Sequence, residues 1–216
     1  MNWSVFDIIG PIMIGPSSSH TAGAANLGYC THRIFGGDVK KVIIKLFGSF
    51  AKVYKGHGTD WALLGGLLGF KSDDQRLLQS KKLAENKGWE VEYVCDRQTK
   101  VEHPNTVVCE LHFVNGDKAT LEGVSIGGGS ININKINGVK VEGIDGREPM
   151  IIIIGRNHEH IRDLLKVFGV DQSRLKVFID LEDNYVITLV GDEDDYKRLK
   201  KSVPIKIHIS YLERLI

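Results

Sequence analysis

Apolar and polar positions alternate in a way that changes character along the chain. Ala22–Phe35 is rich in helix formers and small residues, so a helix is predicted to begin near Ser19–Thr21 and to stop at Gly36-Gly37. Val39–Phe47 reads as a buried strand dense in Val and Ile. A glycine-bearing loop, Tyr54–Thr59, precedes a short apolar helix at Asp60–Leu68, and Asp73–Lys87 reads as a charged amphipathic helix closed by Gly88. Period-two strands follow. Trp89, Val91, Tyr93 and Cys95 share one face, and so do Val107, Cys109, Leu111 and Phe113. Asn115-Gly116 predicts a tight hairpin into Lys118–Ile126. Ile131 and Ile133 then alternate with Asn132 and Asn134, and Asn137-Gly138 marks another tight turn.

Val141–Pro149 is Gly-rich and charged and reads as a linker, after which the pattern changes. Pro149–Gly155 is a continuous apolar strand. Ile161, Leu164, Leu165 and Phe168 make a one-faced helix, and Leu175–Leu181 and Tyr185–Val190 are strands. Asp192–Asp195 places acids at the start of a second helix, where they suit its dipole, and Ile205–Ile209 is the last strand. The order βαββαβ is the ferredoxin-like plan. The expected fold class is α+β, with a mixed α/β domain over residues 1–143 and a ferredoxin-like domain over residues 149–216.

Composition narrows the function classes. The 216 residues balance 28 basic against 27 acidic side chains, a net charge of +1, which exerts no long-range pull on nucleic acid or an anionic membrane. No basic leader opens the chain and no apolar run reaches the ~18 residues needed to span a bilayer, so a soluble protein is expected. The cysteines, Cys30, Cys95 and Cys109, are odd in number and widely spaced. That spacing fits neither a zinc site nor a cluster site, and an unpaired thiol set fits a reducing cytoplasm. Cys95 and Cys109 fall in strands and read as buried hydrophobes.

The candidate chemistry sits in loops. Gly15-Pro16-Ser17-Ser18-Ser19-His20-Thr21 sets hydroxyls and backbone N–H groups at a helix mouth, a place suited to a carboxylate or phosphate, beside an imidazole able to move a proton near neutral pH. The plain alternative is a capping serine with an idle histidine. Lys55-Gly56-His57-Gly58-Thr59-Asp60 offers a histidine between glycines, or simply a helix start. His103-Pro104-Asn105-Thr106 reads as a turn into a strand. Ser125–Ser130 is either an anion nest or a bulge, and lacks the ending of a P-loop. His158 and His160 read as surface residues rather than a metal pair.

Taken in order, Phe6–Gly10, Gly15–Thr21, Gly48-Ser49, Lys55–Asp60, His103–Thr106 and Ser125–Ile131 resemble the iron–sulfur L-serine dehydratases, and the chain is similar to their beta subunit over roughly residues 4–150. The last domain looks like the ACT domain that closes many such subunits, and the first like the family's substrate-binding-like domain. The resemblance implies a lyase that converts L-serine to pyruvate and ammonia. It implies a [4Fe–4S] cluster with one open iron acting as a Lewis acid on the serine hydroxyl. That cluster would be ligated by an alpha subunit rather than by this chain, so no activity is expected of the chain alone. By the same resemblance His20 and His57 are the proton-transfer candidates, either of them the base, and Ser17, Ser18, Ser19 and Thr21 hold the substrate carboxylate or orient His20.

There is one departure. Effector-binding ACT domains carry an Asp-Arg-Pro-Gly turn, and here Arg156-Asn157-His158-Glu159-His160 stands in its place without the glycine. That domain is therefore expected to self-associate or dock rather than to sense serine. The competing reading is a stand-alone regulatory protein that binds an amino acid and needs no partner.

Overall fold

The structure is a computed structural model, and it describes residues 12–157, 169, 172–202 and 207–215. The fold is α+β. Ser17 opens the first helical segment: its backbone is extended and its side chain accepts the N–H of His20, so the chain turns at once into a π-helical turn, Ser18–Ala22. This runs straight into α1, Gly23–Phe35, which ends at Gly36 with its N–H returned to the carbonyl of His32. β1, Val39–Phe47, follows.

α2 is a single short helix, Gly48–Val53, and α3 spans Thr59–Leu67. The helix expected over Asp73–Lys87 is divided into a 3-10 turn at Gln75–Gln79 and α4 at Ser80–Asn86. The cause is local. Asp74 takes the backbone N–H of Arg76 at 2.8 Å and tightens the first turn, and the buried Ser80 hydroxyl donates to Trp61 O at 2.7 Å where the α-helix begins.

β2 (Glu90–Asp96), β3 (Thr106–Phe113), β4 (Lys118–Gly127), β5 (Ser130–Ile136) and β6 (Val139–Ile144) complete a six-stranded sheet in the order β2-β1-β3-β4-β5-β6. β1 and β2 run parallel and the other neighbours are antiparallel. β1, expected as a buried strand, is buried on one face. Val42, Ile44 and Leu46 are inaccessible beneath α1 and α3, while Lys41 and Lys45 on the other face pair with Glu92 and Glu110 on the neighbouring strands. The linker expected over Val141–Pro149 is strand as far as Ile144. Val139, Val141 and Ile144 point into the core, and the charged residues between them face outward.

The second sheet holds β7 (Met150–Arg156), β8 (Leu175–Ile179), β9 (Asn184–Val190) and β10 (His208–Leu212), ordered β10-β7-β9-β8 and wholly antiparallel. α5, Glu193–Ser202, links β9 to β10. The last strand, expected over Ile205–Ile209, runs from His208 to Leu212 with Ser210 and Leu212 buried, and residues 205 and 206 lie outside the described residues. The expected helix around Ile161–Phe168, and His158 and His160, lie outside the described residues. β7 is buried on both faces, as its unbroken apolar run requires. Ile152 joins the large core that extends back to α1 and the first sheet, and Ile151 and Ile153 face a second cluster with Tyr185 and Leu199. Polar ties cross the same junction. Tyr29 on α1 donates to Glu213, and the His208 ring bonds the carbonyl of Ile34.

Candidate active site

Five segments that are distant in sequence converge where α1 begins. Ser17 is the hub. Its hydroxyl accepts His20 N–H at 3.0 Å and lies 3.5 Å from His20 Nδ1, and its carbonyl accepts the N–H groups of Thr21 and Ala22. Thr21 is fully buried. Its hydroxyl accepts Ser17 N–H at 3.3 Å and donates to His57 O at 2.8 Å, strapping the Lys-Gly-His loop to the serine turn. The ring centroids of His20 and His57 are thereby held 5.1 Å apart, tilted by 36°.

The two imidazoles sit in different surroundings. His20 is half-buried. Phe50 meets it edge-on at 5.4 Å and Ser49 Oγ lies 2.9 Å from its Nε2. Burial first, and the neighbouring His57 second, push its pKa below the ordinary imidazole value, so the ring is neutral at neutral pH. His57 is exposed, on a loop whose next residue, Gly58, adopts a left-handed backbone (φ 69°) just before α3.

The Ser125–Ser130 segment is the β4–β5 turn, with a bulge at Gly127 and three successive glycines at positive φ. It braces the serine turn from below. The buried Ser125 hydroxyl donates to Ser19 O at 2.7 Å, and Asn26 on α1 donates to Gly129 O at 2.9 Å. The His103–Thr106 turn supports the other side. Asn105 Nδ2 donates to Ser125 O at 3.1 Å, and Pro104 O accepts Ser49 N–H at 2.6 Å. His103 Nδ1 accepts the N–H of Asn105 at 3.2 Å. Asn105 Oδ1 is buried without a hydrogen-bond partner among the described residues.

Reading the residues one motif at a time does not reveal that Ser49, Asn105 and Ser125 belong to one structure. Ser49 sits in the short helix after β1, Asn105 just before β3, and Ser125 near the end of β4, and none carries a local signal. The signal available was their order along the chain, which the resemblance used.

The serine dehydratase beta chain family model matches residues 4–135, which carry all of these segments. The chain belongs to that family. It is 46% identical over 178 residues to the probable L-serine dehydratase beta chain of Bacillus subtilis (strain 168), covering 81% of this chain and 80% of that one. It is 43% identical over 141 residues to the L-serine dehydratase beta chain of Peptoniphilus asaccharolyticus, covering 65% and 64%. It is also 44% identical over 71 residues to L-serine dehydratase 2 of Escherichia coli (strain K12), covering 31% of this chain and 15% of that longer one.

In this serine dehydratase beta chain the described residues present no thiol set arranged for an iron–sulfur cluster. Among the described residues no three of His, Cys, Asp and Glu are grouped to hold a metal. Cys30 and Cys109 are sealed in the core, where burial pushes both thiols up, Cys109 to about 12. Cys95 is half-buried on β2. Among the described residues no helix is long and apolar enough to cross a membrane.

Proposed function

We propose that this chain is the beta subunit of an L-serine dehydratase that converts L-serine to pyruvate and ammonia, with an active site completed by an alpha subunit. The observation that carries the reading is the pair of imidazoles 5.1 Å apart beside a serine-lined turn, within the segment matched by the family model. The [4Fe–4S] cluster that the family resemblance implies is assigned to the alpha subunit, since the three thiols of this chain are dispersed and two of them are buried.

His20 and His57 transfer the protons. L-Serine loses its α-proton and its hydroxyl as water, and the resulting aminoacrylate takes up water and releases ammonia to give pyruvate. A neutral His20 can accept a proton, and His57 nearby lowers its pKa after burial does. Ser17, Ser18, Ser19 and Thr21 form the carboxylate side of the site. Ser18 and Ser19 open the helix, where backbone N–H groups lack intrahelical acceptors. Ser17 and Thr21 hold the two histidine loops in register.

Residues 149–216 act as an ACT-like domain used for self-association, supported by the β10-β7-β9-β8 order and by exposed Ile179 and Leu181 at the β8–β9 turn. Residues 1–143 form the substrate-binding-like domain. The free cysteines fit a cytoplasmic enzyme.

Co-expression with the alpha subunit under anaerobic conditions tests this directly. Pyruvate production should require both chains, and His20→Ala or His57→Ala should each lower it ~100-fold or more, as expected for loss of a proton-transfer group. Full activity of this chain alone, or of both variants in the complex, would refute the assignment.

A further inference from the structure

The serine-turn and Lys-Gly-His loops supply the imidazoles, but a third segment decides how one of them is held. β1 ends at Phe47, and the chain turns into α2 through Gly48 at φ +53°. A Cβ on Gly48 would lie 2.6 Å from Pro104 O and 2.9 Å from Pro104 Cα, so only glycine lets the two backbones meet. That approach allows Ser49 N–H to bond Pro104 O at 2.6 Å, and the next residue, Phe50, is sunk in the core with no exposed surface. Ser49 is therefore fixed by its own backbone and by the residue after it. Its hydroxyl lies 2.9 Å from His20 Nε2, and the Phe50 ring meets the same imidazole edge-on.

We propose that Ser49 is the positioning residue of His20, its hydroxyl holding the ring by Nε2 in one orientation while leaving the ring free to change protonation state. The proposal rests on the reading of His20 as a proton-transfer group. A hydroxyl suits the task because it both donates and accepts. With a proton on Nε2, Ser49 Oγ accepts it; with Nε2 bare, Ser49 O–H donates. The contact survives either way, so the site need not rearrange when the ring gains or loses a proton. Ser17 cannot replace this hold. Its hydroxyl already accepts His20 N–H at 3.0 Å, and its distance to Nδ1 is a long 3.5 Å. Without Ser49 the ring could turn about its χ2 torsion and present the wrong nitrogen.

The test uses the alpha–beta complex and the full beta chain. Ser49→Ala should lower kcat by ~10- to 100-fold with little change in KM, the pattern of a misaligned reacting group. Ser49→Thr, which keeps the hydroxyl, should restore most of the rate. In the 15N-histidine-labelled beta chain, Ser49→Ala should move the His20 ring-nitrogen resonances, and Ser49→Thr should leave them near those of the parent. Wild-type kcat and unmoved resonances in Ser49→Ala would overturn the proposal, and so would a Ser49→Thr variant as impaired as Ser49→Ala. If His20→Ala itself proves fully active, the reading of the site fails, but the resonances still report whether Ser49 holds the ring.

Discussion

His20 is a histidine whose charged form the fold opposes, and this has a consequence for stability that can be measured. Its pKa in the folded chain lies below the ordinary value of 6.5, through burial and then through His57. His32, half-buried on α1 against Leu67 O, is lowered by burial as well. At pH above 6.5 both are neutral folded or unfolded, and neither affects the balance. As the pH falls through 6.5 the unfolded chain takes up protons that the folded chain resists, so stability declines until the lower folded values are passed. Thermal melts from pH 7.5 to about 5.5 should show falling midpoints. His20→Gln should shallow the decline without abolishing it, because His32 remains. A decline unchanged in His20→Gln would mean that His20 is protonated as easily in the fold as out of it. At Gly48 the argument is steric. Gly48→Ala forces a side chain into the left-handed region and against Pro104, and should cost about 1–3 kcal/mol in urea unfolding while also dislodging Ser49.

At the scale of elements, α1 and α3 form the platform on which both histidine loops stand. They approach unusually closely: a Cβ on Gly28 would overlap the carbonyl of Leu63, and one on Gly66 the carbonyl of Ala25. The glycines that seem to interrupt an apolar helix at Leu64–Leu67 are thus its packing surface. Gly28→Ala or Gly66→Ala should destabilise by about 1–3 kcal/mol, since neither backbone has room to yield. Because α1 begins at the serine turn and α3 follows the Lys-Gly-His loop, spreading these helices should also separate the two rings. Activity of the complex should therefore fall in either variant well below the temperature at which it unfolds. Most of these elements were legible in the sequence. α1, α3 and the hairpins at Asn115-Gly116 and Asn137-Gly138 lie within a residue or two of expectation, since each is punctuated by local capping or turn residues. α2 and β6 were not legible. α2 has six residues, too few for a period to show, and β6 hides its alternation among glycine and charge.

For the whole molecule, the two sheets share one continuous core that runs from Leu27 and Ile44 to Ile152, Val186 and Leu212. At its edge Glu213 takes a hydrogen bond from Tyr29 and an ion pair from Lys71 at 3.3 Å. The Tyr29 bond, followed by the nearby cations, holds the Glu213 carboxyl below its ordinary value, and burial with the Glu213 contact pushes the Tyr29 hydroxyl up to about 12. Tyr29→Phe should loosen this junction by about 1 kcal/mol, read as a lower urea midpoint with an unchanged slope. A fall in slope instead would mean that the second sheet melts separately.

By itself the sequence determined the α+β class, the two-part pattern and the stretches in which chemistry could reside, because periodicity, caps and glycine turns are written within a few residues of one another. It left open whether the loops that carry His20 and His57 come together. Only the tertiary structure decided that, by bringing together segments that begin near residues 15, 48, 55, 103 and 125. Contacts between such distant segments depend on how helices and strands pack, and a buried Ser125 or a fixed Ser49 has no local pattern to announce it.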